Sequence, residues 1–297
     1  MSSQSARVGI DVGGSTIKAA TFTGDGTVLD RLRVPTPSAE SVVATVADIV
    51  NGFRRVVDVQ SVGLAVPGLV DDAAGISVRP VNLGWEGVAV GELVQERCGV
   101  PVTLMHDVRA AAVAEHRRGA GTGVDDLVYV ALGTGIGAAL ISDGRLLVRH
   151  GYAGELGHVD VGHGEPCACG ARGCLEAIAS ARAVTRRFAS RSGRQVAGAR
   201  EVAAELAAGS ADAAAVWAEA VAALAQAFAW IASILAPERI VVGGGLSLAG
   251  RALIEPLDEA LRSRLTFQLV PELRAAAFGD ESGCVGAALL ALETVER

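Results

Sequence analysis

The chain has 297 residues, of which 51% are hydrophobic and only 4% aromatic, and its formal net charge at pH 7 is −7. This length is sufficient for two domain cores, and the negative charge argues against a nucleic-acid-binding surface. No apolar run is expected to reach membrane-spanning length, because the longest, near residues 228–236, is short and amphipathic. Residues 1–7 are short and polar and give no secretory signal, so we expect a cytoplasmic protein.

The first predicted elements are three strands with tight connections. Residues 7–14 are predicted to form a buried strand that runs into a glycine loop, and further strands follow at 17–22 and 27–34. The same order recurs ~120 residues later, a spacing that favours an internally duplicated α/β fold. The second copy comprises strand 127–132, glycine loop 133–137, strand 138–141, turn 142–144 and strand 145–148.

The remaining segments alternate between helices and short strands. The predicted elements are helix 38–57, strand 61–66, strand 102–105, helix 107–116, helices 181–190, 200–207 and 211–235, strand 240–242 and helix 283–295. We expect a domain crossing near residues 119–123, with the last helix packing back on the first domain. The N-terminal domain would then comprise 1–118 and 284–297, and the C-terminal domain 119–283.

Each of the two glycine loops joins two apolar strands, whereas the loops of Rossmann and P-loop units open a helix. The backbone N–H groups of such hairpins can face a polyphosphate. Asp11 precedes the first loop and would face a hydrated Mg²⁺ on nucleotide phosphates, although it could instead bond the amides of its own turn. Lys18 could be a phosphate partner, but it lies within a predicted strand and is expected to face solvent. The candidate phosphate-binding residues are Gly13, Gly14, Ser15, Thr16, Gly133, Thr134 and Gly135.

A third glycine run, Gly243, Gly244 and Gly245, follows the predicted strand 240–242. Because glycines carry no side chain, a flat adenine and its ribose could lie against this backbone. The alternative is an ordinary turn between a strand and a helix. We therefore assign these three residues to nucleotide binding as an expectation.

Three of the five cysteines, Cys167, Cys169 and Cys174, fall within eight positions, shortly after His158. Three thiolates and one imidazole suit a tetrahedral Zn²⁺. A disulfide or redox role is the less favoured alternative, because the cysteine count is odd and two of the cysteines are too close to pair comfortably. His163 is a rival to His158 as the fourth ligand.

Asp107 follows an apolar strand and begins a helix. A carboxylate at this position is commonly an N-cap. It could also act as a general base, because a base for phosphoryl transfer must accept a hydroxyl proton as the attack begins.

Over nearly its whole length the chain resembles the ROK family of sugar kinases and repressors, within the actin-like ATPase superfamily. The specific part is Gly-Glu-Leu-Gly-His at 154–158, followed by Cys-Ala-Cys-Gly-Ala-Arg-Gly-Cys-Leu-Glu at 167–176. Supporting matches lie at 11–16, 66–68, 82–85, 132–137 and 242–245. The resemblance implies an α/β, two-domain actin-like (ribonuclease H-like) ATPase fold with an internal duplication and a central cleft.

The resemblance also implies an ATP-dependent hexose kinase that transfers the γ-phosphoryl group to the 6-hydroxyl of a sugar, with glucose expected first. Asp107 would be the base, ATP would span both hairpin loops with Mg²⁺ on its phosphates, and the protein would be a homodimer. The implied substrate-binding residues are Gly68, Asn82, His106, Asp107, Glu155, His158 and Glu176. The implied ligands of a structural zinc ion are His158, Cys167, Cys169 and Cys174, with the second ring nitrogen of His158 on the sugar.

One position departs from the family pattern, because His106 stands where the family usually has asparagine before the base. An imidazole and an amide offer different hydrogen-bonding groups, so the sugar stays open: N-acetylmannosamine, fructose and allose are alternatives, and polyphosphate is an alternative donor. A sugar-binding sensor or regulator without kinase activity is a further alternative. A repressor is disfavoured because Asp11 leaves only ten residues before it for a DNA-binding module.

Overall fold

The computed structural model describes residues 4–79 and 85–293, which divide into two compact units. The first unit is drawn from Met1–Arg117, Val148–Tyr152 and Glu281–Arg297, and the second from Arg118–Leu147 and Ala153–Asp280. The short segment Val148–Tyr152, predicted to belong to the second domain, lies with the first unit.

The secondary structure alternates between strands and helices. The strands are β1 (Ser5–Val12), β2 (Thr16–Phe22), β3 (Val28–Pro35), β4 (Asp58–Val66), β5 (Leu69–Asp71), β6 (Ile76–Arg79), β7 (Val102–His106), β8 (Leu127–Leu132), β9 (Ile136–Ser142), β10 (Arg145–Leu147), β11 (Arg239–Gly243) and β12 (Glu272–Ala275). The helices are α1 (Ala39–Phe53), α2 (Val90–Cys98), α3 (Asp107–Arg118), α4 (Leu175–Ala179), α5 (Ala181–Ser192), α6 (Ala199–Ala207), α7 (Ala211–Leu235), α8 (Arg251–Arg262) and α9 (Ser282–Glu293).

Each unit contains one five-stranded sheet, and the two sheets have the same arrangement. The strand orders are β3-β2-β1-β4-β7 and β10-β9-β8-β11-β12. In both sheets the first three strands pair antiparallel and the last two join in parallel. Short hairpin loops can connect only antiparallel neighbours, whereas parallel neighbours need a longer crossover. The predicted internal duplication is confirmed by this repeated topology.

The core of the first unit lies between the sheet β3-β2-β1-β4-β7 and helices α1 and α2. In α1 the buried residues recur at helical spacing, with Val42, Val46, Ile49 and Phe53 on one face. The helix ends at Phe53 rather than at the predicted residue 57, because the next residues turn into β4, which begins at Asp58.

Helix α7 is the central helix of the second core. It matches the predicted range 211–235, and its apolar faces pack against α4, α5, α6 and α8. By length and composition it could cross a membrane, with a mean hydropathy of 1.6, so the expectation that no segment reaches that length was wrong. Half of its apolar window is buried inside this unit, as in a core helix.

Several elements, most of them short, were not predicted from the sequence. They are β5, β6, α2, α4, α8 and β12. The last helix, α9, packs against β1 and β4 of the first unit. Its residues are therefore part of the first unit although they lie at the other end of the sequence.

Candidate active site

The candidate site residues of each unit gather at one edge of its sheet. Strands β1, β4 and β7 are parallel neighbours, and Asp11, Gly68 and Asp107 lie at or just beyond their carboxyl ends. In the second sheet, loops 133–135 and 243–245 follow the parallel strands β8 and β11. Ligands of α/β sheets bind at such carboxyl edges. Asn82 lies outside the described residues.

Asp11 and Lys18 face each other across the β1–β2 hairpin. They are direct register partners, so their side chains point to the same face of the sheet. The Lys18 Nζ lies 3.8 Å from Asp11 Oδ2, and both side chains are less than 20% exposed. The expectation that Lys18 faces solvent was therefore wrong.

The loop after Asp11 is held in a tight conformation by backbone bonds. The Gly13 N–H donates to the Thr16 carbonyl at 3.0 Å. Thr36 secures the loop from outside, since its hydroxyl donates to the Gly13 carbonyl at 2.6 Å and its N–H donates to the Ser15 carbonyl at 3.1 Å. Sequence reasoning missed Thr36, which nothing in its local pattern distinguishes.

The second loop has a similar internal bond, from the Gly133 N–H to the Gly135 carbonyl at 3.0 Å. Glu176, on α4, accepts a hydrogen bond from the Ile136 N–H through Oε2 at 2.8 Å and packs directly against Gly135. Glu176, which is predicted to bind the sugar, therefore uses one carboxylate oxygen to fix the loop. The same contact connects α4 to the loop.

Asp107 lies at the junction of β7 and α3, where strand end and helix start coincide. Its Oδ1 accepts from the Val108 N–H at 2.7 Å and lies 3.2 Å from His106 Nε2. Burial raises the pKa of Asp107 to about 6, although the Val108 N–H and the Arg109 charge act in the opposite direction. The side chain keeps 30% of its surface open. A carboxylate of this kind can accept a proton near neutral pH.

Glu155 immediately precedes a single 3₁₀ turn, Leu156–His158, and His158 is its last residue; the turn packs on β9. Their Oε2 and Nε2 atoms are 4.0 Å apart. Gly154 and Gly157 approach the β9 carbonyls of Ala138 and Ile136 so closely that any Cβ would collide with them. The glycines of this motif therefore allow its backbone, which carries Glu155 and His158, to lie directly against the strand that follows the second loop.

His158, Cys167, Cys169 and Cys174 form a compact group whose ligand atoms all lie within 4.8 Å of one another. The Cys169 and Cys174 sulfurs are 3.7 Å apart, and the Cys167 sulfur is 3.8 Å from His158 Nδ1. A tetrahedral zinc site with Zn–S bonds of about 2.3 Å places its sulfurs about 3.8 Å apart. The donor set and its spacing thus fit a metal such as zinc.

The pKa values of two thiols in this group are shifted in opposite directions. Burial raises the pKa of Cys174 to about 12, whereas the Ala171 N–H lowers the pKa of Cys169. A coordinated cation would deprotonate both thiols. All three cysteines are free thiols, so the structure contains no disulfide among them.

His163 lies outside the cluster and has two other partners. Its Nδ1 accepts from the Glu165 N–H and its Nε2 lies 3.0 Å from the Cys174 carbonyl oxygen. These two bonds use both ring nitrogens to shape the segment.

Loop 243–245 ends β11 and leads into a 3₁₀ helix, Gly245–Ala249. Ser247 caps this turn by donating its hydroxyl to the Gly244 carbonyl at 2.7 Å. The backbone here is thus ordered by a serine that the sequence analysis did not single out.

The ROK family model matches residues 7–294 of the chain. A glucokinase from Halalkalibacterium halodurans is 32% identical over 94% of this chain and 92% of its own length. An N-acetylmannosamine kinase from Citrobacter koseri is also 32% identical, over 95% of this chain and 97% of its own. The structure of a ROK family glucokinase from Streptomyces griseus, in complex with glucose and AMPPNP, superposes with a TM-score of 0.87 at 31% identity and covers 97% of this chain and 99% of that one.

Proposed function

This chain belongs to the ROK family, and we propose that it transfers the γ-phosphoryl group of ATP to the 6-hydroxyl of glucose. It has the two-domain actin-like ATPase fold and is an ATP-dependent hexose kinase. The proposal for the site depends on one observation. The carboxylate of Asp107 lies at the carboxyl edge of the first sheet, and its pKa is raised.

In the proposed reaction Asp107 accepts the proton of the sugar 6-hydroxyl while the oxygen of that hydroxyl attacks the γ-phosphorus. A bond forms from the sugar oxygen to phosphorus, and the bond from phosphorus to the β–γ bridging oxygen breaks. The electron pair leaves with ADP. Little covalent work falls to the protein in such a transfer, so correct placement of the hydroxyl and stabilisation of phosphate charge supply most of the rate.

The nucleotide would be held by the two hairpin loops and the third glycine run. Backbone N–H groups of loops 13–16 and 133–135 would bind the phosphates, and loop 243–245 would receive the adenosine. Mg²⁺, which accompanies the nucleotide in kinases, neutralises phosphate charge when bound. Asp11 would hold its hydration shell, and the adjacent Lys18 would balance the Asp11 charge.

The sugar hydroxyls would be bound by Glu155, His158 and Glu176, with Gly68, Asn82 and His106 as further contacts. His158 would use Nδ1 for zinc, because that atom faces Cys167, and Nε2 for the sugar. Zinc is proposed as the structural metal of the His158 and cysteine group. Its role is to hold this segment in shape, and no chemical step passes through it.

The choice of sugar is tested by a panel of glucose, N-acetylmannosamine, fructose and allose, with ATP and with polyphosphate as donors. We expect glucose with ATP to give the highest kcat/KM. N-acetylmannosamine is the rival because kinases of both sugars are about equally identical to this chain. A higher kcat/KM with N-acetylmannosamine would make that sugar, rather than glucose, the substrate. Absence of turnover with any sugar, at full metal content, would favour a sensor.

Activity should depend on pH through Asp107. The ionised carboxylate is the active form, and its pKa is raised to about 6, so kcat/KM for the sugar should fall below that pH and be constant above it. The loss should approach tenfold for each pH unit. Rates from pH 5 to 8, with circular dichroism to show that the fold persists, test this. A rate unchanged down to pH 5 would contradict the role of Asp107.

The proposal includes a cytoplasmic homodimer. Ile234 and Phe267 of the second unit are 79% and 90% exposed. These two side chains are the candidate apolar contacts of that interface.

A further inference from the structure

Arg109 lies two residues after Asp107 and is one of the largest fully buried side chains described, with 2% exposure. A buried guanidinium destabilises a protein unless it is paired and fully hydrogen-bonded. Asp72 provides the pair, because it accepts from Arg109 Nε at 3.0 Å and from Nη2 at 2.7 Å. This is the bidentate geometry in which arginine and carboxylate bond most strongly.

The guanidinium also joins two other segments of the first unit. Its Nη2 donates to the Val70 carbonyl at 3.0 Å and its Nη1 to the Gly151 carbonyl at 3.3 Å. The first turn of α3 is thus fixed to the β5–β6 hairpin and to the segment Val148–Tyr152.

Asp72 reaches the other side of the base as well. Its Oδ1 accepts from the backbone N–H of His106 at 3.3 Å. One carboxylate therefore holds the residue before Asp107 through its amide and the residue two positions after it through its side chain. The backbone that carries the base is clamped on both sides.

We propose that Asp72 and Arg109 are a positioning pair that aims the Asp107 carboxylate at the substrate hydroxyl. Neither residue touches the reacting atoms. The Val108 N–H and the His106 ring hold Oδ1 of Asp107, and the pair holds the backbone on either side of it, so we assign Oδ2 to the hydroxyl. A displacement of about 1 Å at such a group lowers rates by about a hundredfold. The inference rests on the proposed role of Asp107.

A structural role and a positioning role predict different effects of substitution on the pH dependence of the rate. The titratable and charged groups near Asp107 in the first unit are His106, Arg109 and Asp72. Asp72→Asn removes a negative charge and leaves Arg109 to favour the Asp107 carboxylate, which moves the acid limb of the rate profile to lower pH. Arg109→Gln leaves Asp72 unbalanced and moves the limb to higher pH. Simple loosening of the fold predicts no such opposition.

The experiment measures kcat, both KM values and the pH profile of Asp72→Asn, Arg109→Gln and Arg109→Lys. We expect kcat to fall about 10- to 100-fold in all three, with KM for ATP within about twofold. Arg109→Lys keeps the charge but loses the planar fork, so its acid limb should stay in place while kcat falls. Should a single variant not fold, Asp72→Asn/Arg109→Gln carries the test: kcat stays low and the limb returns to the wild-type position.

Arg239 offers a matched control in the second unit. It is 8% exposed, bonds Glu272 through Nε at 2.9 Å and donates to the carbonyls of Ala120 and Thr122. Arg239→Lys should leave kcat and the pH profile unchanged. Wild-type kcat in Arg109→Lys, or limbs that move in the same direction in Asp72→Asn and Arg109→Gln, would overturn the inference. If Asp107→Asn itself kept full turnover, the proposed base would fail instead.

Discussion

Replacing Asp107 with asparagine should lower kcat at least about a hundredfold, the usual scale for loss of a general base. The amide keeps the shape of the side chain but cannot accept the hydroxyl proton. KM for the sugar and for ATP should change far less, because most of the groups proposed to bind them are other residues and asparagine can still hydrogen-bond the hydroxyl. Steady-state kinetics at pH 7.5 measures this, and turnover within threefold of wild type would refute the assignment.

The same substitution should make the protein more stable. The pKa of Asp107 is raised from 3.8 to about 6 in the folded chain, so above pH 6 the ionised carboxylate lowers the free energy of unfolding. Asparagine removes that charge, and the gain should be about 1 to 3 kcal/mol at pH 8 and should vanish below about pH 4. Urea unfolding at both pH values tests it. Asp48→Asn, at an exposed position of α1, is the control and should change little.

Loss of one thiol from the metal group should have the second large effect. We expect Cys169→Ser to release the metal, because three remaining ligands and a hydroxyl hold zinc much more weakly than Cys₃His. His158 and Glu155 share the turn that this segment holds in place, so KM for the sugar should rise at least about tenfold while KM for ATP changes little.

Metal analysis and sugar kinetics on the same preparation separate the two effects of this substitution. Cys98→Ser is the matched control, since Cys98 is a free, buried cysteine at the end of α2 in the first unit. It should retain a full complement of metal. A Cys169→Ser protein with unchanged zinc would remove Cys169 from the ligand set.

The local pattern was enough to predict the long and regular parts of the fold. The β1–β2 hairpin, its copy at β8–β9 and helix α7 were recognised because apolar periodicity extends over a whole element. Helix α8 shows where that reasoning fell short: Leu253, Leu257 and Leu261 have helical spacing and are buried, but Pro256 interrupts the pattern. Strand β12 has mainly exposed residues and is defined by its pairing with β11.

The sequence by itself determined the duplicated strand order, the glycine loops, the aspartate that starts α3 and the clustered histidine and cysteines, because each is encoded in neighbouring residues. Only the tertiary structure decided that Arg109 is buried against Asp72, that Thr36 secures the first loop and that Val148–Tyr152 lies with the first unit. Asp72 and Arg109 are 37 positions apart, and either would be an ordinary surface charge by local pattern. Their pairing follows from how the hairpin, the strand end and the helix start pack together, which a local pattern does not encode.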